Sequence, residues 1–184
     1  DNFFYGQGLS DKLNKCTKLK KGAMIIVHQV QNPELFGIAK IDNKNKILKI
    51  VEKPKKFISN NAVCGLYLYK NSTINYYKDL KKSKRDEYEI TELNNILISN
   101  KDIKIVKLSN NISWYDAGNI ERIFQISKYI YNLSKKNIFV GYLDHIAYKK
   151  KLISKNDYLT SIKYHSNSEY SQNLKKLLKT HESY

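Results

Sequence analysis

The chain has 184 residues, a size that suits one domain with its own buried core, and 33 lysine or arginine residues against 17 aspartate or glutamate residues give it a formal charge of +16. Its two cysteines, Cys16 and Cys64, lie far apart and outside any C-x-x-C or Cys/His spacing, so a disulfide or zinc framework has no support and both read as free structural thiols. The apolar runs at 23–27 and 138–142 are too short to span a bilayer and no signal-peptide pattern occurs, so the expectation is a soluble cytoplasmic protein with no membrane partner.

In chain order, DNFFYGQG opens without an initiator methionine and reads as the interior of a longer polypeptide. Residues 9–20 place Leu9, Leu13 and Cys16 at helical spacing, and Lys21-Gly22 stops that helix. AMIIVHQV (23–30) reads as a buried strand and NPELFG (32–37) as a turn. IAKID (38–42) and ILKIVEK (47–53) then form a hairpin around NKNK. Pro54 closes the second of these strands by biasing Lys53 away from helix. AVCGLYLY (62–69) is a strand whose internal Gly65 marks the close approach of another backbone or a ligand. Helical periodicity runs over 72–82 and 90–99, with RDEYEIT between, and IKIVKL (103–108) is a strand. NISWYDAGN (111–119) is a short strand breaking into a glycine turn, and 120–135 is an amphipathic helix with Ile120, Ile123, Ile126, Ile130 and Leu133 on one side. Three short helices follow, near 144–151, 155–163 and 168–180. The chain therefore divides into a mixed α/β body over 1–136 and a helical tail over 137–184.

The charge suggests a polyanion partner, but composition weighs against sequence-specific nucleic-acid binding. Arg85 and Arg122 are the only arginines, whereas base readout and bidentate phosphate recognition draw heavily on arginine. The lysines are scattered among asparagine, isoleucine and tyrosine.

Two carboxylates stand in unusual surroundings, Asp1 in DNFFYG and Asp116 in WYDAG. An aspartate among aromatics with a glycine close behind can hold its carboxylate at the rim of a sheet, where α/β proteins bind ligands. Two such groups converging would suit magnesium, which takes oxygen ligands and shares substrate phosphates. A lone Asp-x-Gly capping a turn is the plain alternative for each. Glu52-Lys53-Pro54 ends a strand with an acid that can take two sugar hydroxyls and a lysine that can meet a phosphate, or else is a solvated strand end. Arginine is scarce, so Arg85 in RDEYEIT suggests a bidentate phosphate contact, with a surface pair to Asp86 or Glu87 as the alternative. His28 in its strand reads as a core or edge histidine. No Ser/His/Asp order, Walker loop, G-x-G-x-x-G or H-E-x-x-H occurs, and no residue is assigned covalent or acid–base catalysis.

Taken in order, DNFFYG, NPELFGIAKID, EKP, AVCGLYLY, RDEYEITELNN and WYDAGN resemble the second half of the sugar-1-phosphate nucleotidylyltransferases, most closely the branch that thymidylylates glucose 1-phosphate on the route to dTDP-rhamnose and polysaccharides. The likeness runs from residue 1 to about residue 150 and continues weakly beyond. It implies a Rossmann-like α/β fold with a mixed central sheet whose first strands are missing. It also implies a magnesium-dependent attack of glucose 1-phosphate on the α-phosphorus of dTTP, giving dTDP-glucose and pyrophosphate. Carried over by motif, Asp1 and Asp116 match the two magnesium ligands. Gly37, Glu52, Val63 and Gly65 match the glucosyl pocket with Tyr67 nearby, Lys53 and Arg85 match groups facing the sugar's phosphate, and Trp114 matches an aromatic beside the site.

Several features depart from that pattern. No G-G-x-G-T-R-L loop for the nucleotide occurs among the 184 residues, so transferase activity is not expected of this chain alone. The tail has Lys149, Lys150 and Lys151 where the family has an arginine-glycine pair, and Tyr170 lies between Glu169 and Ser171 where a tyrosine-glycine pair is expected. The family's homotetramer and regulatory nucleotide site depend on that tail. Two further readings stand beside the enzyme: a noncatalytic module that binds a sugar phosphate or nucleotide sugar, and a basic nucleic-acid binder.

Overall fold

In the computed structural model, which describes residues 2–83 and 86–182, the chain forms two compact units, Asp1–Arg122 and Ile123–Tyr184. The first unit holds β1 (Asn2–Gly6), α1 (Leu9–Thr17), β2 (Ala23–Gln29), β3 (Gly37–Ile41), β4 (Ile47–Glu52), β5 (Asn61–Tyr69), α2 (Ile90–Ser99), β6 (Ile103–Lys107) and β7 (Ile112–Asp116). Five strands make a mixed sheet in the order β4-β3-β5-β2-β6, and β1 pairs with β7 as a separate antiparallel ribbon. The expected mixed α/β body is therefore present.

β2 explains the arrangement. Its unbroken apolar run AMIIV sits next to the middle of the sheet, antiparallel to β5 and parallel to β6, and is buried on both faces. Ile25 and Val27 point to one side, where Ala39, Ile50 and Leu97 of α2 pack on them. Ile26 points to the other, with Cys64, Leu108 and Ile112, and Phe4, Leu13 and Trp114 close over it. Strand alternation divides one apolar segment between two cores. Both cysteines are free and buried.

The β3–β4 hairpin keeps the register that brings Gly37 opposite Glu52. Asn95 of α2 fastens its outer strand. The Ile50 N–H donates to Asn95 Oδ1 at 2.9 Å, and Asn95 Nδ2 donates back to the Ile50 carbonyl at 2.9 Å.

One helix differs in kind from its expectation. Within 72–82 the chain forms a tighter 3-10 helix over Asn71–Asp79. Asn, Ser, Thr and Tyr favour the α-helix weakly, and two contacts reward the tighter turn. Buried Thr73 donates to the Gly22 carbonyl at 3.2 Å, and the Tyr76 hydroxyl donates to Asp102 at 2.7 Å. NPELFG likewise contains a short 3-10 turn, Pro33–Leu35.

The second unit contains helices throughout its described residues. α3 (Ile120–Ser134) runs into it, followed by α4 (Leu143–Lys149), α5 (Lys155–Tyr164) and α6 (Glu169–Glu182). Tyr158, Ile162, Leu174 and Leu178 form its core. Ser154 and Asp157 form a capping box at the start of α5. Asp144 accepts from Ser161 and from the Tyr170 hydroxyl, each at 2.7 Å.

Candidate functional site

The residues of interest meet where β3, β4, β5, β7 and the start of α2 come together around a cavity of about 290 Å³. Gly37 begins β3 and Glu52 ends β4, each lining the cavity. A β-carbon on Gly37 would stand 2.9 Å from Glu52 Oε2, so the missing side chain leaves room for the carboxylate. Thr91 Oγ1 donates to the same oxygen at 3.1 Å.

Lys53 follows with φ of 41°, a left-handed conformation uncommon for a residue with a side chain, and its N–H donates to the Phe36 carbonyl at 3.0 Å. That turn lets Lys53 line the cavity beside Glu52. A neighbouring hollow of about 610 Å³ shares Glu52, Lys53 and Thr91 and adds Lys81 and Lys82.

On β5, Val63, Gly65 and Tyr67 follow the two-residue strand period and line the cavity. Gly65 has φ of 67°, and a β-carbon there would stand 2.6 Å from Asn2 Nδ2. The group that approaches Gly65 in the structure is the Asn2 side chain and not another backbone. Burial, and after it the negative charge of Glu52, raise the Tyr67 phenol above its ordinary pKa, so it remains a neutral donor.

Trp114 forms the wall. Its indole N–H donates to Asn2 Oδ1 at 2.8 Å, and its ring lies 5.1 Å from that of Phe36 and 6.5 Å from that of Phe4. Asp116 ends β7 opposite Asn2. Arg122 Nη1 donates to Asp116 Oδ2 at 2.5 Å, and the guanidinium carbon lies 5.2 Å from the centre of the Phe36 ring.

Eight of the ten residues singled out from sequence thus line one cavity: Gly37, Glu52, Lys53, Val63, Gly65, Tyr67, Trp114 and Asp116. Asp1 and Arg85 lie outside the described residues. Sequence reasoning passed over Asn2, Phe36, Thr91, Asn94 and Arg122. Asn94, 1% exposed, accepts from the Tyr69 hydroxyl at 2.8 Å. A polar residue on the buried face of an apolar helix was the available signal. For Arg122 the signal was the arginine scarcity already applied to Arg85.

Magnesium is the cation the motifs imply. Among the described residues no three His, Cys, Asp or Glu side chains gather into a cage. Asp116 offers hard oxygen, and a β-carbon at position 118 would press to 3.2 Å from both carboxylate oxygens, so glycine there leaves room on that side of a carboxylate whose Oδ2 is held by Arg122. A single carboxylate fits magnesium, which holds few protein ligands and completes its shell with water and substrate phosphate. The described site otherwise offers a carboxylate, a lysine, a threonine hydroxyl and aromatic walls. Such a set can accept from sugar hydroxyls, stack on a ring face and neutralise a phosphate.

A family model described as nucleotidyl transferase matches residues 1–132. The glucose-1-phosphate thymidylyltransferase of Neisseria meningitidis serogroup A is 30% identical over 180 residues, covering 97% of this chain and 62% of that relative. Its namesake from Mycolicibacterium smegmatis is 34% identical over 179 residues, with the same coverages of 97% and 62%. The chain thus spans 62% of the length of these curated relatives. Among solved structures, a Bacillus anthracis protein described as a glucose-1-phosphate thymidylyltransferase in complex with a sucrose superimposes with a TM-score of 0.60 at 36% identity, over 70% of this chain and 50% of that one. A UDP-glucose pyrophosphorylase complexed with UDP-glucose superimposes at 0.61 with 20% identity, over 71% of this chain and 53% of that one, a likeness of fold. Among the described residues no helix is long and apolar enough to cross a membrane.

Proposed function

The chain belongs to the nucleotidyl transferase family, and from that premise we propose that the protein transfers a thymidylyl group from dTTP to glucose 1-phosphate, giving dTDP-glucose and pyrophosphate. The observation that carries this reading is the single cavity uniting Gly37, Glu52, Lys53, Val63, Gly65, Tyr67, Trp114 and Asp116.

In this reading Glu52, held by Thr91, accepts from two hydroxyls of the glucosyl ring. Gly37, Val63 and Gly65 leave room for the ring, with Tyr67 as a neutral donor beside it. Trp114 closes one face. Lys53, Arg85 and the nearby Lys81 and Lys82 neutralise the sugar's phosphate. Asp116 and Asp1 are the ligands that would hold magnesium. When bound, that ion would offset charge on the phosphates during transfer. A phosphate oxygen of glucose 1-phosphate forms the new bond to the α-phosphorus. The bond from that phosphorus to the bridging oxygen breaks, and pyrophosphate leaves with the electron pair. Reactions of this kind need positioning and charge neutralisation more than covalent help.

Body and tail divide at residue 136 in this proposal, the body serving the sugar phosphate and the tail serving assembly, in the family's case a homotetramer. A cytoplasmic place in dTDP-rhamnose and polysaccharide synthesis follows from the product, and no specific nucleic acid is a partner.

Trp114 is the only tryptophan and lines the cavity, so it reports occupancy. Titration with glucose 1-phosphate should change its fluorescence saturably, and Glu52→Gln should weaken binding roughly tenfold or more. No saturable change in the wild-type chain would overturn the sugar-phosphate reading. Joining the chain to a family nucleotide-binding segment and assaying pyrophosphate release from dTTP separates enzyme from binding module. Tight sugar-phosphate binding without release would favour the module.

A further inference from the structure

Arg122 is one of only two arginines, and it lies outside every motif that carries the family resemblance. The structure nevertheless places it against Asp116 and Phe36, two residues that line the cavity. Its Nη1 donates to Asp116 Oδ2, its guanidinium carbon stands over the Phe36 ring, and Phe36 packs in turn on Trp114. The chain leaves Asp116 at the end of β7, passes the glycine turn and enters α3, whose first turn carries Arg122 back over the carboxylate. The Arg122 N–H donates to Asn119 Oδ1 at 2.9 Å, which holds that first turn in place. The pair is half sheltered, with Arg122 and Asp116 side chains 25% and 34% exposed. Only Oδ2 is engaged, and Oδ1 takes no hydrogen bond from a described residue.

Resting on the assignment of Asp116 as a cation ligand, we propose that Arg122 is a built-in counter-ion for Asp116 that competes with the divalent cation for this carboxylate. A guanidinium bound to one oxygen of a ligand repels any cation approaching the other, and the repulsion is strong where water is partly excluded. The aromatic face of Phe36 supports the guanidinium from below and keeps it in place when the carboxylate is withdrawn. Arg122 therefore exchanges partners instead of being expelled. Bound to Asp116, it satisfies the carboxylate in the empty site. Released, it adds a positive charge beside the cavity where the sugar phosphate is placed. The consequence is coupling: the cation binds weakly alone and more tightly with the phosphate, because the anion compensates the freed guanidinium. Such coupling is reciprocal by thermodynamic necessity.

The test measures binding, with Mn2+ as the paramagnetic probe, by electron spin resonance on the chain with and without glucose 1-phosphate. In the wild type, glucose 1-phosphate should tighten Mn2+ binding. Arg122→Gln should bind Mn2+ alone about tenfold tighter or more and lose most of the tightening. Arg122→Lys keeps the charge without the planar fork and should fall between the two. Asp116→Asn distinguishes the two levels of the argument. If it leaves Mn2+ binding unchanged, the cation-site assignment falls and this proposal with it. If Asp116→Asn loses Mn2+ but Arg122→Gln binds it no more tightly than wild type, the cation site stands and the counter-ion proposal is overturned.

Discussion

Gly37 and Glu52 face each other across the β3–β4 hairpin, and a β-carbon on Gly37 would stand 2.9 Å from Glu52 Oε2. The glycine at the start of one strand thus sets where the carboxylate at the end of the other can lie. Gly37→Ala should therefore separate binding from stability. The atom met is the far end of a flexible side chain, so unfolding should change by no more than about 1 kcal/mol. The displaced carboxylate should weaken glucose 1-phosphate binding roughly tenfold or more. Denaturant unfolding and the Trp114 titration measure the two effects on one preparation. A large loss of stability with binding retained would contradict the arrangement.

Gly65→Ala should behave in the opposite way. With φ of 67° and Asn2 Nδ2 at 2.6 Å from a built β-carbon, alanine there is strained in backbone and in space. A left-handed non-glycine residue costs about 1–3 kcal/mol. The unfolding midpoint should fall accordingly. Because Asn2 accepts from the Trp114 indole, the native emission should shift as well.

Asn95 offers a test of how α2 supports the hairpin. Its amide satisfies both the N–H and the carbonyl of Ile50 on β4, the outer strand of the sheet. Asn95→Ala leaves both groups without that partner and should destabilise the unit by about 1–3 kcal/mol. Hydrogen exchange at Ile50 should accelerate before that of β2, since the change is local to the edge. Unchanged protection at Ile50 would refute this support.

A fourth expectation concerns pH. Burial lowers the His28 pKa below its ordinary 6.5, and its Nδ1 has no hydrogen-bond partner among the described residues. The unfolded chain therefore takes up the proton first. Stability from keeping His28 neutral is complete above pH 6.5 and is lost as pH falls from there through the folded-state value. Asp102, Asp144 and Asp157 are held below the ordinary 3.8 by hydrogen bonds, so their losses come at more acid pH. Unfolding followed by Trp114 fluorescence just below pH 6.5 should show a slope that His28→Leu abolishes.

Most strands and helices were legible because their periods are local. β5 shows why: Val63, Gly65 and Tyr67 recur every second residue, and one strand brings all three to the same cavity. The β3–β4 hairpin was readable from its short turn, and its register follows from the pleat. The 3-10 form of Asn71–Asp79 was not, since it depends on Gly22 and Asp102, distant in sequence.

The chain's own residues determined which segments alternate, which carboxylates stand among aromatics, and the order of motifs that marks the family, because each depends on neighbours a few positions apart. Only the tertiary structure decided that Asn2 reaches both Gly65 and Trp114, that Thr91 secures Glu52, and that Arg122 turns back onto Asp116. These contacts join residues from separate elements or across a turn, where side-chain reach and backbone direction set the partner and no sequence period records it.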